Sequence, residues 1–449
     1  MDSVDGVTVW VLVAEVGLTL WLGLYLLVRD PDAAVSRRAG VGLLGYAAAL
    51  AASLLAETGP GWPDRLLLVL VCVPALAWTG ACVRLLPESY PGRDRLDRLW
   101  LRVAVPVTVA VAPLAAWLDG AYLVLGAVVL APLLALLVVV GRVRPAPVGS
   151  VLAVATLFFS LGAALLMLPL GWLPATPLLV AMDLDLIALG VAVAWCSAFY
   201  AGETLHRDML RSLLAATGIA TLFGGQVVLA MLAGPGVTPA LTALLLGTVA
   251  AAVGVQVLAG PAQGLLDRLV FAGSPELARQ RAQLRGAETA LPRRDEHAMP
   301  AGLDQEEFVR LTRRALSSYG DLARLTSSPL ANLPVVGERL AARRAPDQPL
   351  ERTAELKALL LESIQRLKPP RGEFGTTEEW RYYNALYFPY VLGLRPYRRT
   401  ADRRGLDPVA RQAFDWLSTQ VPERTLHNWQ TAAARLIAAD LRCQSGAER

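Results

Sequence analysis

Three carboxylates lie inside otherwise apolar stretches of this 449-residue chain, and they are the residue types that could do chemistry within a membrane. Glu15 lies about eight residues into the first apolar run, and Asp183 and Asp185 lie six to eight residues into the seventh. All three fall at a similar depth, roughly 9–12 Å below the outer boundary at 1.5 Å per residue. Charge inside a span is costly, so one interpretation is an acidic pocket that responds to protons or cations.

A structural interpretation of the same carboxylates stays open. The seventh span would then begin later in the chain, with Asp183 and Asp185 near the headgroups and Glu15 hydrogen-bonded within the bundle. In either case the two aspartates are two residues apart, so they point to opposite sides of a helix and do not both face one partner.

The end of the chain carries the second group of candidate residues. Asp407-Pro408 predicts the N-cap and first position of a helix over 408–418, and a second helix runs from Pro422 to about Leu441. The first turns of this second helix present polar residues outward, as a recognition helix does. Candidates for contact with DNA or a protein partner are Arg424, Thr425, His427, Asn428 and Arg435, with Arg435 and Arg442 nearer the DNA backbone.

Two features weaken the prediction of a helix-turn-helix over 407–441. Three residues separate Leu417 from Val421, where the usual motif has fewer, and Glu423 would repel phosphates. A helical protein-interaction module is the alternative. The aromatic residues near 377–392 predict a helix in the core, with base stacking as their alternative role.

Other chemistry has little support in the sequence. Four cysteines and three histidines show no metal-ligand spacing, and we find no nucleophile–base pair and no phosphate-binding loop. We expect free thiols, no metal, no cofactor and no enzyme activity. The N-terminus lacks the basic region of a signal peptide, so none is expected.

Apolar runs of about 18 to 24 residues position the carboxylates, and runs of that length cross a hydrocarbon core about 30 Å thick. Hydrophobic residues make up 55% of the chain, and the long runs end near Gly260. We predict nine spans, near 7–28, 39–57, 66–86, 101–118, 121–141, 150–172, 178–200, 210–233 and 238–259.

The arginines set the predicted orientation. The odd-numbered connections between these spans hold twelve arginines and the even-numbered ones hold only Arg65. Because basic residues stay on the cytoplasmic side, the N-terminus is predicted outside and the C-terminus inside. Arginine outnumbers lysine 40 to 2, which is typical of a GC-rich bacterial genome. We therefore expect a multi-pass protein of the bacterial inner membrane.

The predicted fold class is all-α, with three parts. Residues 1–260 form the membrane bundle, 261–300 a juxtamembrane helix and linker, and 301–449 a cytoplasmic helical domain. In that domain Asp304 and Glu307 have the spacing of an N-cap and its reciprocal acid. A helix with a leucine-rich stripe is predicted near 350–367.

Two stretches resemble known families. Gln263, Asp267-Arg268 and Phe271, with Trp21 to Leu27 more weakly, resemble the membrane exit of bacterial sensor histidine kinases that have multi-span N-terminal regions. No kinase catalytic domain is expected, since no Gly-rich ATP lid follows. Residues 301–449 are similar to helix-turn-helix regions of bacterial regulators, through Ser328-Pro329-Leu330, the Trp380 to Tyr390 segment and Arg424-Thr425.

Three functional hypotheses follow. In the first, the chain is a one-component membrane sensor whose tail binds DNA or a cytoplasmic signalling protein; homodimers are common among such regulators. In the second it is a transporter or lipid-handling protein, with the acidic trio as its site and the tail as an accessory. In the third it is a membrane scaffold that recruits a cytoplasmic partner. All three place the bundle in the lipid bilayer.

Overall fold

The structure is a computed structural model, and every regular element in its described part is helical, which confirms the all-α prediction. The described residues are 6–31, 33–58, 64–86, 90–117, 121–143, 159, 161–163, 175–201, 203–234, 236–271, 273–294, 303–370, 372–397 and 406–445.

The chain divides into two compact units. The first, here called the apolar unit, comprises residues 1–197 and 209–266; the second, the tail unit, comprises 198–208 and 267–449. The sequence placed this boundary near residue 260 and did not assign the connection 198–208 to the tail.

The apolar unit is built from long helices, and a π-helical turn at Trp100–Ala104 joins its fourth and fifth helices. The helices are α1 (Gly6–Arg29), α2 (Ala34–Thr58), α3 (Asp64–Leu85), α4 (Arg93–Leu99), α5 (Val105–Trp117), α6 (Ala121–Val143), α7 (Ala175–Ala201), α8 (His206–Ala233) and α9 (Pro239–Val270).

Five of these helices, α1, α2, α7, α8 and α9, are long and apolar enough to cross a membrane. They coincide with the first, second, seventh, eighth and ninth predicted spans. The third and fifth predicted spans correspond to shorter apolar stretches, Leu70–Leu85 and Val124–Leu136. In the fourth predicted span, the α-helical part is only the 13 residues of α5. Most of the sixth predicted span, 150–172, lies outside the described residues. The count of nine stays a prediction.

Glycines allow α1 and α2 to pack closely. A Cβ on Gly40 would lie 2.8 Å from the carbonyl oxygen of Gly23 and 2.8 Å from Leu27 Cγ. Both distances are shorter than a normal contact, so only glycine fits there.

Short helices make up the tail unit. They are α10 (Pro275–Ala290), α11 (Gln305–Ser317), α12 (Leu322–Thr326), α13 (Pro334–Arg343), α14 (Pro349–Arg366), α15 (Arg381–Leu386), α16 (Pro408–Gln420) and α17 (Glu423–Gln444), with 3-10 turns at Leu291–Arg293, Pro329–Asn332 and Glu378–Trp380 and a π-helical turn at Tyr387–Val391.

Two predicted N-caps begin helices as expected. The Asp304 carboxylate accepts from the backbone N–H of Glu307 at 2.7 Å, and the Asp407 carboxylate accepts from that of Ala410 at 2.6 Å. The reciprocal half of the first cap is absent in the described contacts, because the Glu307 carboxylate pairs with Arg310 at 2.9 Å.

The tail has its own apolar core, in which α17 packs against α11 and α15. The helical spacing of Phe308 and Leu311 on α11 and of Leu356 on α14 predicts that they face inward, and all three are buried there. Trp380 and Tyr383 are buried as well, which confirms the core prediction for the aromatic segment. The sequence also predicts an inward face on the last helix made of Leu426, Trp429, Ala433, Leu436 and Ile437. The assignment was wrong for Leu436, which is 48% exposed, whereas Ile437 is buried.

The final helix pair has a shorter connection than expected. α16 continues to Gln420, so only Val421 and Pro422 separate it from α17. The Trp416 and Trp429 rings stack between the two helices, with centroids 6.1 Å apart. Since helix-turn-helix motifs commonly use a turn of three to four residues, the expectation that three turn residues are too many was wrong. Recognition-helix geometry for this pair stays a prediction.

Candidate functional site: a buried acidic cluster

The first helix contributes a carboxylate and a hydroxyl to one buried position. Glu15 and Thr19 are four residues apart on α1 and therefore share a face one turn apart. Glu15 is 8% exposed and Thr19 is fully buried. An otherwise apolar helix thus turns two polar side chains into the interior of the apolar unit.

Asp183 on α7 meets this face. The Thr19 hydroxyl donates to Asp183 Oδ1 at 2.5 Å, and Asp183 is fully buried. The candidate span on α7 begins at Pro177, so Asp183 lies within it and not at its boundary. Asp183 is thus buried among helices in the apolar unit, while the position of the membrane boundary along α7 stays a prediction.

Tyr46 on α2 completes the cluster. Its ring is fully buried, and its hydroxyl donates to the carbonyl oxygen of Leu179 at 2.7 Å, one turn before Asp183 on α7. Three helices therefore meet at Glu15, Thr19, Asp183 and Tyr46, which we call the acidic cluster.

Asp185 lies on a different face of α7 from Asp183. It is only half-buried, and no hydrogen bond joins it to the acidic cluster in the described residues. This agrees with the expectation that residues two apart on a helix diverge. The structure brings together two members of the predicted trio, Glu15 and Asp183, and leaves the third outside.

The acidic cluster lacks a counter-charge in the described part of the chain. Glu15 Oε2 and Asp183 Oδ2 are buried without a hydrogen-bond partner, and neither carboxylate is in an ion pair. On α1 the nearest arginine is Arg29, fourteen residues or about 21 Å along the helix. Two buried carboxylates without compensation are strongly destabilising. The arrangement therefore suits occupation by a proton or a small monovalent cation held by carboxylate and hydroxyl oxygens.

A second polar cluster, the ion-pair cluster of Arg38, Arg84 and Asp97, contrasts with the first. Arg38 and Arg84 reach the Asp97 carboxylate at 2.7 and 2.5 Å. Burial of Asp97 acts to raise the pKa of its carboxyl. The two arginines oppose this through their hydrogen bonds and their positive charges, and the net result is a lowered pKa. Asp97 is thus a compensated, structural carboxylate.

The tail candidates separate into exposed and engaged residues. Arg424, Asn428 and Arg435 are exposed along one row of α17, and Thr425 is half-buried. His427 instead has its Nε2 2.5 Å from a guanidinium nitrogen of Arg313 on α11, so its ring is engaged within the tail.

Arg442 is also engaged within the tail. It donates to Gln305 at 2.7 Å and lies over the Phe308 ring. The exposed row of α17 is therefore narrower than the sequence suggested, with Arg424, Asn428 and Arg435 as its members.

Sequence reasoning missed two residues of the acidic cluster. Thr19 had a weak signal, its i+4 spacing from Glu15 on the same helix face. Tyr46 lies midway along an apolar span, whereas aromatic residues usually concentrate at the membrane interfaces. Neither signal identifies the partner across the bundle.

Sequence reasoning also missed the role of the connection between α7 and α8. Glu203 accepts from Ser327 at 2.9 Å, the Thr204 N–H donates to the Arg293 carbonyl at 2.8 Å, and Asp208 pairs with Arg293 at 3.3 Å. This connection is therefore a packed part of the tail unit.

Comparisons with known proteins add no family to these observations. No family model, curated protein or solved structure matches the chain.

Proposed function

We propose that this chain is a membrane-embedded one-component sensor and regulator. In this proposal nine spans cross the bacterial inner membrane with the N-terminus outside and the C-terminus in the cytoplasm. The acidic cluster responds to a proton or a monovalent cation, and the tail passes the response to DNA or a cytoplasmic protein. No catalysis is assigned to the chain.

One observation carries this proposal: the helix that bears Asp183 also ends in the tail-bound connection. α7 is continuous from Ala175 to Ala201. Asp183 meets Thr19 near its start, and Glu203 and Thr204 just beyond its end are hydrogen-bonded to the tail. A change in occupancy that moves α7 along or about its axis would therefore perturb those hydrogen bonds. Such a packed helix with two arrangements is how coupling between sites is carried.

The acidic cluster supplies the difference between two states. Bound positive charge stabilises a pair of carboxylates that have unpartnered oxygens. When that charge leaves, the two carboxylates repel each other. A ligand shifts a conformational equilibrium only when it binds one state more tightly than the other. The charge-compensated ion-pair cluster lacks this property, which is why we assign sensing to Glu15 and Asp183.

The output surface is the exposed row on α17. Arg424, Asn428 and Arg435 lie four and seven residues apart, on one side of the helix. Arginine and asparagine suit base edges and phosphates. The excess of basic residues after residue 260, 29 against 23 acidic, favours an anionic partner. DNA is therefore the output we propose.

Hydrogen exchange on the full chain in lipid nanodiscs tests the coupling. At mildly acidic and mildly alkaline pH, amides of 203–208 and of the Ser327 turn should differ in protection in the wild type. Asp183→Asn keeps an acceptor for Thr19 but removes one of the two titrating charges, so the difference in protection should become clearly smaller. Asp185→Asn is the matched control on the same helix and should retain it. Equal pH responses in the wild type and Asp183→Asn would reject the proposal.

The acidic cluster also favours one other candidate, transport of a proton or cation. A transporter should lose flux in Asp183→Asn while deletion of the tail leaves flux intact. Under the sensor proposal, proteoliposomes of the wild type show no cation or proton flux above empty vesicles. This measurement therefore separates the two functions directly.

A further inference from the structure

Three arginines line one depression on the helical segment formed by α4 and the π-helical turn. Arg95, Arg98 and Arg102 are exposed, and their spacing places them on one side of the segment. Together with Leu99 and Val103 they line a shallow cavity of about 460 Å³. No ion pair involves these three arginines in the described residues.

Within the ranges that the structure describes, neighbouring acidic residues do not neutralise this depression. Asp97 is held by the ion-pair cluster on the other side of the segment. Asp94 is exposed, and Arg98 donates only to its backbone carbonyl, at 3.2 Å. The guanidinium groups therefore keep most of their donors for an external anion.

The segment is fixed in this orientation by its other face. The Trp100 indole N–H donates to the Leu76 carbonyl at 3.0 Å, and the Arg38 guanidinium lies over the Trp100 ring, 4.1 Å from its centroid. Trp100 thus anchors the π-helical turn on α3. π-Helical turns often occur at functional sites, where they change the direction of side chains.

Apolar side chains stand exposed beside the arginines. Leu99, Leu101 and Val103 are 56%, 57% and 48% exposed. A soluble phosphate would leave these side chains in water, whereas a lipid brings acyl chains to cover them. The combination of unpaired guanidiniums with adjacent exposed leucine and valine is the pattern expected at the boundary of an anionic membrane.

We propose that Arg95, Arg98 and Arg102 bind the phosphate of an anionic phospholipid, with Leu99 and Val103 against its acyl chains. Guanidinium groups recognise phosphate oxygens with paired hydrogen bonds, which gives geometric selectivity over a zwitterionic headgroup. This site requires only that the chain lies in a bilayer and is independent of the sensor proposal.

The test measures lipid retention by native mass spectrometry on the full chain in detergent. Phosphatidylglycerol should bind more tightly than phosphatidylcholine. Each arginine should contribute about fivefold to the affinity for phosphatidylglycerol. Arg95→Gln should therefore lower that affinity about fivefold, and the variant with all three arginines replaced by glutamine should lower it about a hundredfold. Phosphatidylcholine binding should not change. A matched control, with the exposed Arg344, Arg395 and Arg411 replaced by glutamine, removes the same charge from the tail and should bind as the wild type does.

Two further arms complete the test. Inorganic phosphate at the same concentration should not displace phosphatidylglycerol; if it does, the site is a simple anion site and the lipid proposal fails. If the triple variant does not fold, the affinity of the wild type for phosphatidylglycerol is measured at rising salt concentration. Binding of the headgroup by exposed arginines should weaken, because salt screens exposed charges. Equal affinity for both lipids in the wild type, or an unchanged affinity in a folded triple variant, overturns the proposal.

Discussion

The Thr19→Val substitution probes the hydrogen bond at the centre of the acidic cluster. Valine has almost the shape of threonine but cannot donate, so the change removes the donor to Asp183 Oδ1 and little else. Asp183 would then have both carboxylate oxygens buried without a partner, since Oδ2 already lacks one in the described residues.

Because the hydrogen bond is fully buried, its loss should have a large effect on the free energy of unfolding. Leaving a buried acceptor unsatisfied costs about 1–3 kcal/mol in soluble proteins. Between membrane helices, double-mutant cycles give roughly 0.6 kcal/mol on average and about 1.7 kcal/mol at most. Thr19 and Asp183 are both 0% exposed, so water does not replace the lost donor. We therefore expect a value at the upper membrane limit, about 1.5 kcal/mol.

A double-mutant cycle on the full chain measures this coupling. Thr19→Val, Asp183→Leu and the double variant are compared by detergent-induced unfolding, and the non-additive part of the free energy of unfolding is the coupling. Thr79→Val is the matched control, because the Thr79 hydroxyl donates at 2.8 Å to the carbonyl of Ala75 on its own helix and should cost under about 1 kcal/mol. A Thr19–Asp183 coupling within error of zero would refute the reasoning.

Three further predictions follow from other contacts. Asp97→Asn should lower the free energy of unfolding by about 1–3 kcal/mol, because two arginines lose a charged acceptor. Since the folded-state pKa of Asp97 is lowered, this contribution is present above its unfolded pKa and should disappear from unfolding titrations only below about pH 4. Gly40→Ala should cost about 1–3 kcal/mol by overpacking against α1, whereas Gly247→Ala, which meets open space, should be neutral or slightly stabilising in the same assay. Arg424→Ala should weaken a gel shift of selected genomic DNA by about tenfold or more, and Arg411→Ala on α16 should not; equal effects would remove α17 as the contact helix.

Local features of this fold were predictable from the sequence, because they depend on neighbouring residues. Asp304 and Asp407 cap the helices that follow them, and hydrophobic stripes such as that of Leu356 identify the buried faces. The five longest apolar helices were predictable for the same reason. The failures lie where neighbouring residues do not decide the outcome. Leu436 fits an apolar stripe, yet the direction from which α11 and α15 pack leaves it exposed.

The acidic cluster was only half predictable. The cost of charge in an apolar span identifies Glu15 and Asp183 from sequence alone. Their partner Thr19 and the neighbouring Tyr46 depend on how α1, α2 and α7 meet, across separations of up to 164 residues. Likewise, His427 was assigned outward correctly as an exposed residue, but its contact with Arg313, 114 residues away, has no signal in the sequence.

The central claim is that the state of the acidic cluster controls what the tail binds. The most direct measurement is binding of the full chain in nanodiscs to fragmented genomic DNA, at about 50 and about 200 mM salt and at two pH values. The account predicts sequence-selective binding that weakens with salt, changes with pH in the wild type and Asp185→Asn, and changes clearly less with pH in Asp183→Asn. Absence of selective binding, or the same pH response in Asp183→Asn as in the wild type, would contradict it.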